Sequence, residues 1–155
     1  MEFSSEEMVA RINTTREGSV WEVLDIKLLS AEKDKVVATM PIGPNHRQQV
    51  GYLHGGVSVV LAESIASLGT VMNIDPSRQM AFGLEINANH LRPKRDGQLT
   101  AVATPFHRGR TTHVWDIRIT DEQDKLVCIS RCTVAIVDRP PDNANLLLRD
   151  IPSFG

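Results

Sequence analysis

Apolar and polar positions change their spacing several times along the chain, and each change marks an element. Residues from about Ser5 to Asn13 read as a short helix. Ser4 or Ser5 supplies a cap, and Glu6 and Glu7 fall in the first turn, where the positive end of the helix dipole favours acids. From Val20 to Met40, Val20, Leu24, Ile26 and Leu28 lie mainly on one face and the polar run AEKDK supplies a turn, which predicts a hairpin. Pro41 to Tyr52, with two prolines, two glycines and the run NHRQQ, reads as a loop. From Gly55 apolar residues recur on nearly all sides, which predicts a long helix buried nearly all round. It ends before Asp75-Pro76, since a following proline disfavours helical backbone.

The rest alternates as strands do: Ala81 to Leu91, Leu99 to His107, Thr112 to Thr120 and Leu126 to Val137. Trp115, Ile117 and Ile119 share one face, opposite Asp116 and Arg118. Asp96-Gly97, Gly109 and TDEQDK mark the turns between strands. The order helix, two strands, long helix, four strands predicts one α+β domain over 1–138. A long central helix lies across the concave face of a curved antiparallel sheet of about six strands. Residues 139–155 form a C-terminal tail.

Composition narrows this picture. The 155 residues suit one domain, and a net charge of −2 supplies no global field toward nucleic acid or an anionic membrane. Any anion site is therefore local. The N-terminus lacks the basic start and apolar core of a signal peptide. The apolar stretch from Gly55 to Ile74 carries Glu63 at its centre, which argues against a bilayer span. Cys128 and Cys132, four residues apart on one strand, are separated by roughly 13 Å. That is too far for a disulfide, so reduced thiols in a cytoplasmic protein are expected.

Candidate chemistry concentrates on the long helix. Between His54 and Asp75 the one charged side chain is Glu63. A carboxylate among apolar neighbours is paired with an arginine from a strand, exposed at an edge, or functional. Eight residues earlier, His54-Gly55-Gly56 opens the helix. Unpaired N–H groups and the dipole there can polarise a carbonyl, and glycine admits a ligand close to the backbone. Ser67 lies one turn beyond Glu63 on the same face. A polarising helix end plus a carboxylate suits acyl transfer to water. Eight residues span about 12 Å of helix, however, so cooperation between the two predicts that a second subunit contributes one of them. The five histidines show no metal-ligand spacing, and no GxSxG elbow or phosphate-binding loop is present. No metal and no cofactor are expected.

The segments QQVGYLHGGVSVVLAESIASLGT, GLEINANHLRP and HRGRTTHVWDIRI resemble the hotdog-fold thioesterases of the 4-hydroxybenzoyl-CoA and phenylacetate-pathway group. They are most similar to the hydroxyaroyl-CoA enzymes, including those acting on 1,4-dihydroxy-2-naphthoyl-CoA. The likeness spans roughly Ile26 to Val137. It implies a sheet wrapped around the helix, homodimers with shared active sites, and homotetramers made of two dimers. It implies that the Gly55 amide polarises the thioester carbonyl, with His54 shaping that site. Glu63 reaches in from the partner subunit as nucleophile or general base. Gln48 hydrogen-bonds near the thioester, Ser67 holds water or substrate, and His90 lines the acyl pocket. Arg92 and the matching run Gly109-Arg110-Thr111 are candidates for holding coenzyme A. The expected activity is hydrolysis of an aromatic acyl-CoA. A non-catalytic acyl-CoA-binding module, an enoyl-CoA hydratase, and a thioesterase for acyl carrier protein or medium-chain acyl-CoA are the alternatives.

Overall fold

A computed structural model describes residues 4–140. The first described element is α1 (Ser5–Thr14), where Ser4 and Glu7 cap each other. The Ser4 hydroxyl accepts from the Glu7 N–H at 3.1 Å, and the Glu7 carboxylate accepts from the Ser4 N–H at 2.8 Å.

The hairpin expected from Val20 needs correction. Val20–Val23 forms one helical turn, α2, and the first strand starts only at Lys27. Gly18, at φ 70, turns the chain ahead of it, and the Ile26 N–H closes it on the Trp21 carbonyl at 2.8 Å. The four-residue spacing of Val20, Leu24 and Leu28 fits a helical turn as well as a strand face. Val20 and Val23 stay exposed.

The remaining elements are β1 (Lys27–Ala31), β2 (Val36–Pro41), a short 3-10 turn (Pro44–His46), α3 (Gly55–Val71), β3 (Gln79–His90), β4 (Gln98–Arg108), β5 (Thr112–Thr120) and β6 (Leu126–Asp138). The six strands form one antiparallel sheet in the order β1-β2-β4-β5-β6-β3. The predicted α+β architecture is thus the observed one. Of the tail, residues 141–155 lie outside those described. Among the described residues, no helix is long and apolar enough to cross a membrane.

α3 lies across the sheet because the strands beneath it offer small side chains. Ala38, Ala101 and Ala103 are fully buried, and Leu61, Ala62, Ile65 and Ala66 of the helix settle onto this floor. Nearer the C-terminal end of the helix the fit turns on Trp115. Its indole N–H donates to the Thr70 hydroxyl at 2.9 Å, and its ring lies against Gly69. The helix is not buried all round, contrary to expectation. Val57, Val59, Val60, Glu63, Ser64, Ser67 and Val71 are only half-buried, with Val57 and Val60 still packed against the core and Glu63 reaching the edge strand β3. The sheet wraps one side of the helix and leaves the other uncovered.

The two sheet edges differ. Against β1, the Asn13 side chain donates to the Leu28 carbonyl at 2.8 Å and accepts from the Leu28 N–H at 2.9 Å. The Ser5 hydroxyl accepts from the Ala31 N–H at 3.0 Å, so α1 closes that edge. β3 pairs with β6 on one side, and among the described residues nothing pairs with its other side. That edge carries exposed Phe82 and Leu84.

A methyl group at Gly69 would lie 2.6 to 2.9 Å from three atoms of the Trp115 ring. The indole is pinned by its hydrogen bond and cannot retreat. Gly69→Ala is therefore expected to cost about 1–3 kcal/mol, read as a lowered thermal midpoint. An unchanged midpoint would show that the helix is not seated on the indole as described.

Candidate active site

His54 is the N-cap of α3. Its Nδ1 accepts from the Gly56 N–H at 2.9 Å, which places the proton of the neutral ring on Nε2. The His54 N–H in turn donates to the His46 carbonyl at 2.8 Å. His46 is itself held: Nδ1 accepts from the Gly43 N–H at 3.0 Å, and Nε2 lies 2.8 Å from the Leu24 carbonyl. This buried brace ties the start of α3 to the chain entering β1.

The cap leaves the Gly55 N–H without a hydrogen bond among the described residues. The His90 imidazole, at the end of β3, lies over this position. A Cβ on Gly55 would sit 2.6 Å from its Nε2, so glycine here is required by close approach. His54, Gly55 and His90 thus lie together at the start of the helix within one protomer, a contact between His90 and Gly55 that the sequence did not announce.

Gln48 lies in the turn that precedes the cap. Its N–H donates to the Tyr52 carbonyl at 2.8 Å, and its own carbonyl accepts from the Gly51 N–H at 2.9 Å. The turn is fastened to the β3–β4 hairpin. The Arg95 guanidinium stacks 4.2 Å above the Tyr52 ring, Arg47 Nε donates to the Arg95 carbonyl at 2.7 Å, and the Leu53 N–H donates to the Lys94 carbonyl at 2.8 Å. Glu122 anchors the hairpin in turn, through Lys94 Nζ at 3.0 Å and the Gln98 N–H at 2.6 Å. Its own backbone N–H, then Lys94 and Gln98, pull the Glu122 carboxyl down to about 2. Arg92 sits exposed on this hairpin.

Glu63 stands mid-helix, half-buried rather than enclosed. Among the described residues its carboxylate has no hydrogen bond or ion pair, and it lies against the backbone of Gly83 in β3. Ser67 follows one turn later on the same uncovered face. Cys132, near Glu63, and Cys128, opposite His90, are buried free thiols. Burial first, then the charges of Glu63 and Glu85, push Cys132 up to about 12, and burial raises Cys128 as well, so neither is a ready nucleophile at neutral pH.

Gly109, Arg110 and Thr111 form the β4–β5 turn. Arg108 fixes this hairpin to the far end of α3, donating to Asn73 Oδ1 at 3.1 Å and to the Lys33 carbonyl at 3.2 Å. His113, buried beside the turn, has its ring pKa lowered by desolvation and by Arg108, opposed by a hydrogen bond to the Gly109 backbone. Within one protomer the structure thus gathers His54, Gly55 and His90 at the start of the helix. Glu63 and Ser67 lie partway along it, and Gly109 to Thr111 lie at its other end. Sequence reasoning missed the contact between Gly83 and Glu63. A glycine inside a strand pattern is the signal that marks such close approaches.

Among the described residues, the helix wrapped on one side by the sheet thus carries an unengaged amide at its start and an unpaired, half-buried carboxylate partway along. Residues 50–128 match the model of the thioesterase superfamily. A 1,4-dihydroxy-2-naphthoyl-CoA hydrolase of Listeria monocytogenes is 52% identical over 115 residues, covering 74% of this chain and 93% of that protein. A thioesterase from Pseudomonas aeruginosa, solved with one glutamine replaced by alanine, superposes with a TM-score of 0.82 at 42% identity, over 84% of this chain and 94% of that one. A Staphylococcus aureus thioesterase, solved once with a glutamate and once with a glutamine replaced by alanine, gives TM-scores of 0.76 and 0.74 at 41% identity. Those matches cover 77% and 76% of this chain and 99% and 97% of the other. The chain belongs to the thioesterase superfamily. It has the hotdog fold of that family and is a thioesterase.

The cap separates the structural share of His54 from any chemical share. His54→Ala is expected to lose about 1 kcal/mol of stability, whereas His54→Asn, whose side-chain oxygen can accept the same N–H, stays near wild type in a thermal melt. Equal losses in both variants would show that the ring does not act as a cap.

Proposed function

We propose that the protein hydrolyses aromatic acyl-CoA thioesters, hydroxyaroyl-CoA foremost, to the free acid and coenzyme A, at sites shared by two subunits. One observation carries this reading. Among the described residues, the Glu63 carboxylate is unpartnered beside the open edge of the sheet, about 12 Å along a rigid helix from the unoccupied Gly55 N–H. Two such half-sites become whole when the uncovered face of each helix meets a second copy.

In the completed site the thioester oxygen accepts from the Gly55 N–H, with the helix dipole and the His90 ring beside it. Charge developing on that oxygen is stabilised there. Glu63 of the partner subunit then acts in one of two ways. As nucleophile it attacks the carbonyl carbon and expels the CoA thiolate, leaving an anhydride that water opens. As general base it takes a proton from the water that attacks. Gln48 bonds near the thioester, and Ser67 holds water or substrate beside Glu63. The glutamine and glutamate replaced in the S. aureus enzyme are 15 residues apart, the separation of Gln48 and Glu63, which supports pairing these two here. Arg92, and Arg110 within Gly109 to Thr111, are placed on exposed hairpins at the two ends of the helix and meet the phosphates of coenzyme A. The naming of the Listeria relative supports an aromatic acyl group. The buried reduced thiols support a cytoplasmic setting.

Release of free CoA from 4-hydroxybenzoyl-CoA and from octanoyl-CoA tests the chemistry. Glu63→Gln is expected to slow release at least about a hundredfold while remaining folded. Undiminished release would remove Glu63 from the reaction, and preference for the octanoyl ester would replace the aromatic reading with a medium-chain one. Joint replacement Phe82→Asp and Leu84→Asp charges the open edge. The expected result is a monomer on size exclusion with no turnover, and a fully active monomer would overturn the shared site.

A further inference from the structure

β3 does not run regularly past Glu63. Gly83 pairs with Val134 and Glu85 pairs with Thr133, so Leu84 is an extra residue, looped out and 65% exposed on the open edge. Bulges of this kind re-aim neighbouring groups and are frequent beside active sites. The Glu63 carboxylate stands in the space that a side chain at Gly83 would fill. A Cβ there would overlap Oε1 and lie 3.1 Å from Cδ and 3.6 Å from Cγ. We infer that Gly83 is a positioning residue: its missing side chain makes the notch that sets where the Glu63 carboxylate stands. The inference rests on Glu63 being the reacting carboxylate.

The contact differs in kind from that at Gly69. There the obstacle is an indole fixed by packing and a hydrogen bond. At Gly83 the obstacle is the free end of a flexible side chain. Gly83 is also not among the residues with positive φ, so alanine can adopt its backbone without strain. A methyl group at Gly83 should therefore leave the fold intact. The carboxylate has to retreat by on the order of 1 Å or more to regain van der Waals separation. Displacing a reacting group by that much costs up to about a hundredfold in rate.

The test compares wild type, Gly83→Ala, Glu63→Gln, Glu63→Asp and the double variant Gly83→Ala/Glu63→Asp by steady-state hydrolysis of 4-hydroxybenzoyl-CoA, with size exclusion and thermal melts alongside. Gly83→Ala is expected to keep wild-type size and melting. Its kcat should fall about 10- to 100-fold, with KM changed by less than about threefold. The shorter aspartate does not reach the added methyl, so Glu63→Asp should cost less in the Gly83→Ala background than in wild type. Wild-type kcat in Gly83→Ala beside an inactive Glu63→Gln would overturn the role of Gly83 and leave that of Glu63 standing. Strictly additive losses, or a Gly83→Ala protein that unfolds or dissociates, would overturn it too, because the geometry requires only the carboxylate to yield. Full activity in Glu63→Gln would sink both readings.

Discussion

An α-helix advances a fixed 1.5 Å per residue, and that rigidity governs how this thioesterase can be put together. Gly55 and Glu63 are on the same helix, so no motion of side chain or loop brings the free amide to the carboxylate. The rest of the architecture accommodates this separation. The sheet covers one face of α3 and leaves the other half-buried, with Glu63 and Ser67 upon it. The β3–β4 and β4–β5 hairpins, with their arginines, are fastened near opposite ends of the helix. Within one protomer the amide and the carboxylate therefore stay about 12 Å apart along the helix axis.

Seating the helix closely enough requires small residues on both sides. Ala38, Ala101 and Ala103 lower the floor, and Gly69 lets the Trp115 indole reach the helix backbone and hydrogen-bond to Thr70. At the other end the same economy of atoms brings a ring onto the helix start. Gly55 admits the His90 ring and leaves its own N–H unengaged. What glycine achieves at these positions is therefore not turn geometry but proximity.

Much of this was legible from period and punctuation. β5 was read to the residue, because Trp115, Ile117 and Ile119 alternate cleanly with Asp116 and Arg118. α3 was readable by its single charge and by the glycines that open it. Two features were not legible, for physical reasons. The four-residue spacing from Val20 to Leu28 satisfies a helical turn and a strand alike, and Gly18 tips the balance toward the turn. The all-round apolar character of α3 signalled burial without saying which surface supplies it, and one protomer covers only half. The His54 cap was hidden for another reason: histidine is not a usual capping residue, so HGG marks a helix start without revealing that the ring holds it. Gly83 touches Glu63 across 20 positions of sequence, a pairing that no local pattern encodes.

The unequal treatment of the two sheet edges has a consequence in the vocabulary of polymerisation. An element with two reactive ends propagates, whereas one with a single reactive end terminates whatever it joins. With α1 bonded to Leu28 and Ala31 of β1, and β3 left unpaired among the described residues, this sheet is monofunctional. Among the described residues, strand addition is therefore open at one edge alone. The same three hydrogen bonds from Asn13 and Ser5 act as a chain stopper against fibre growth.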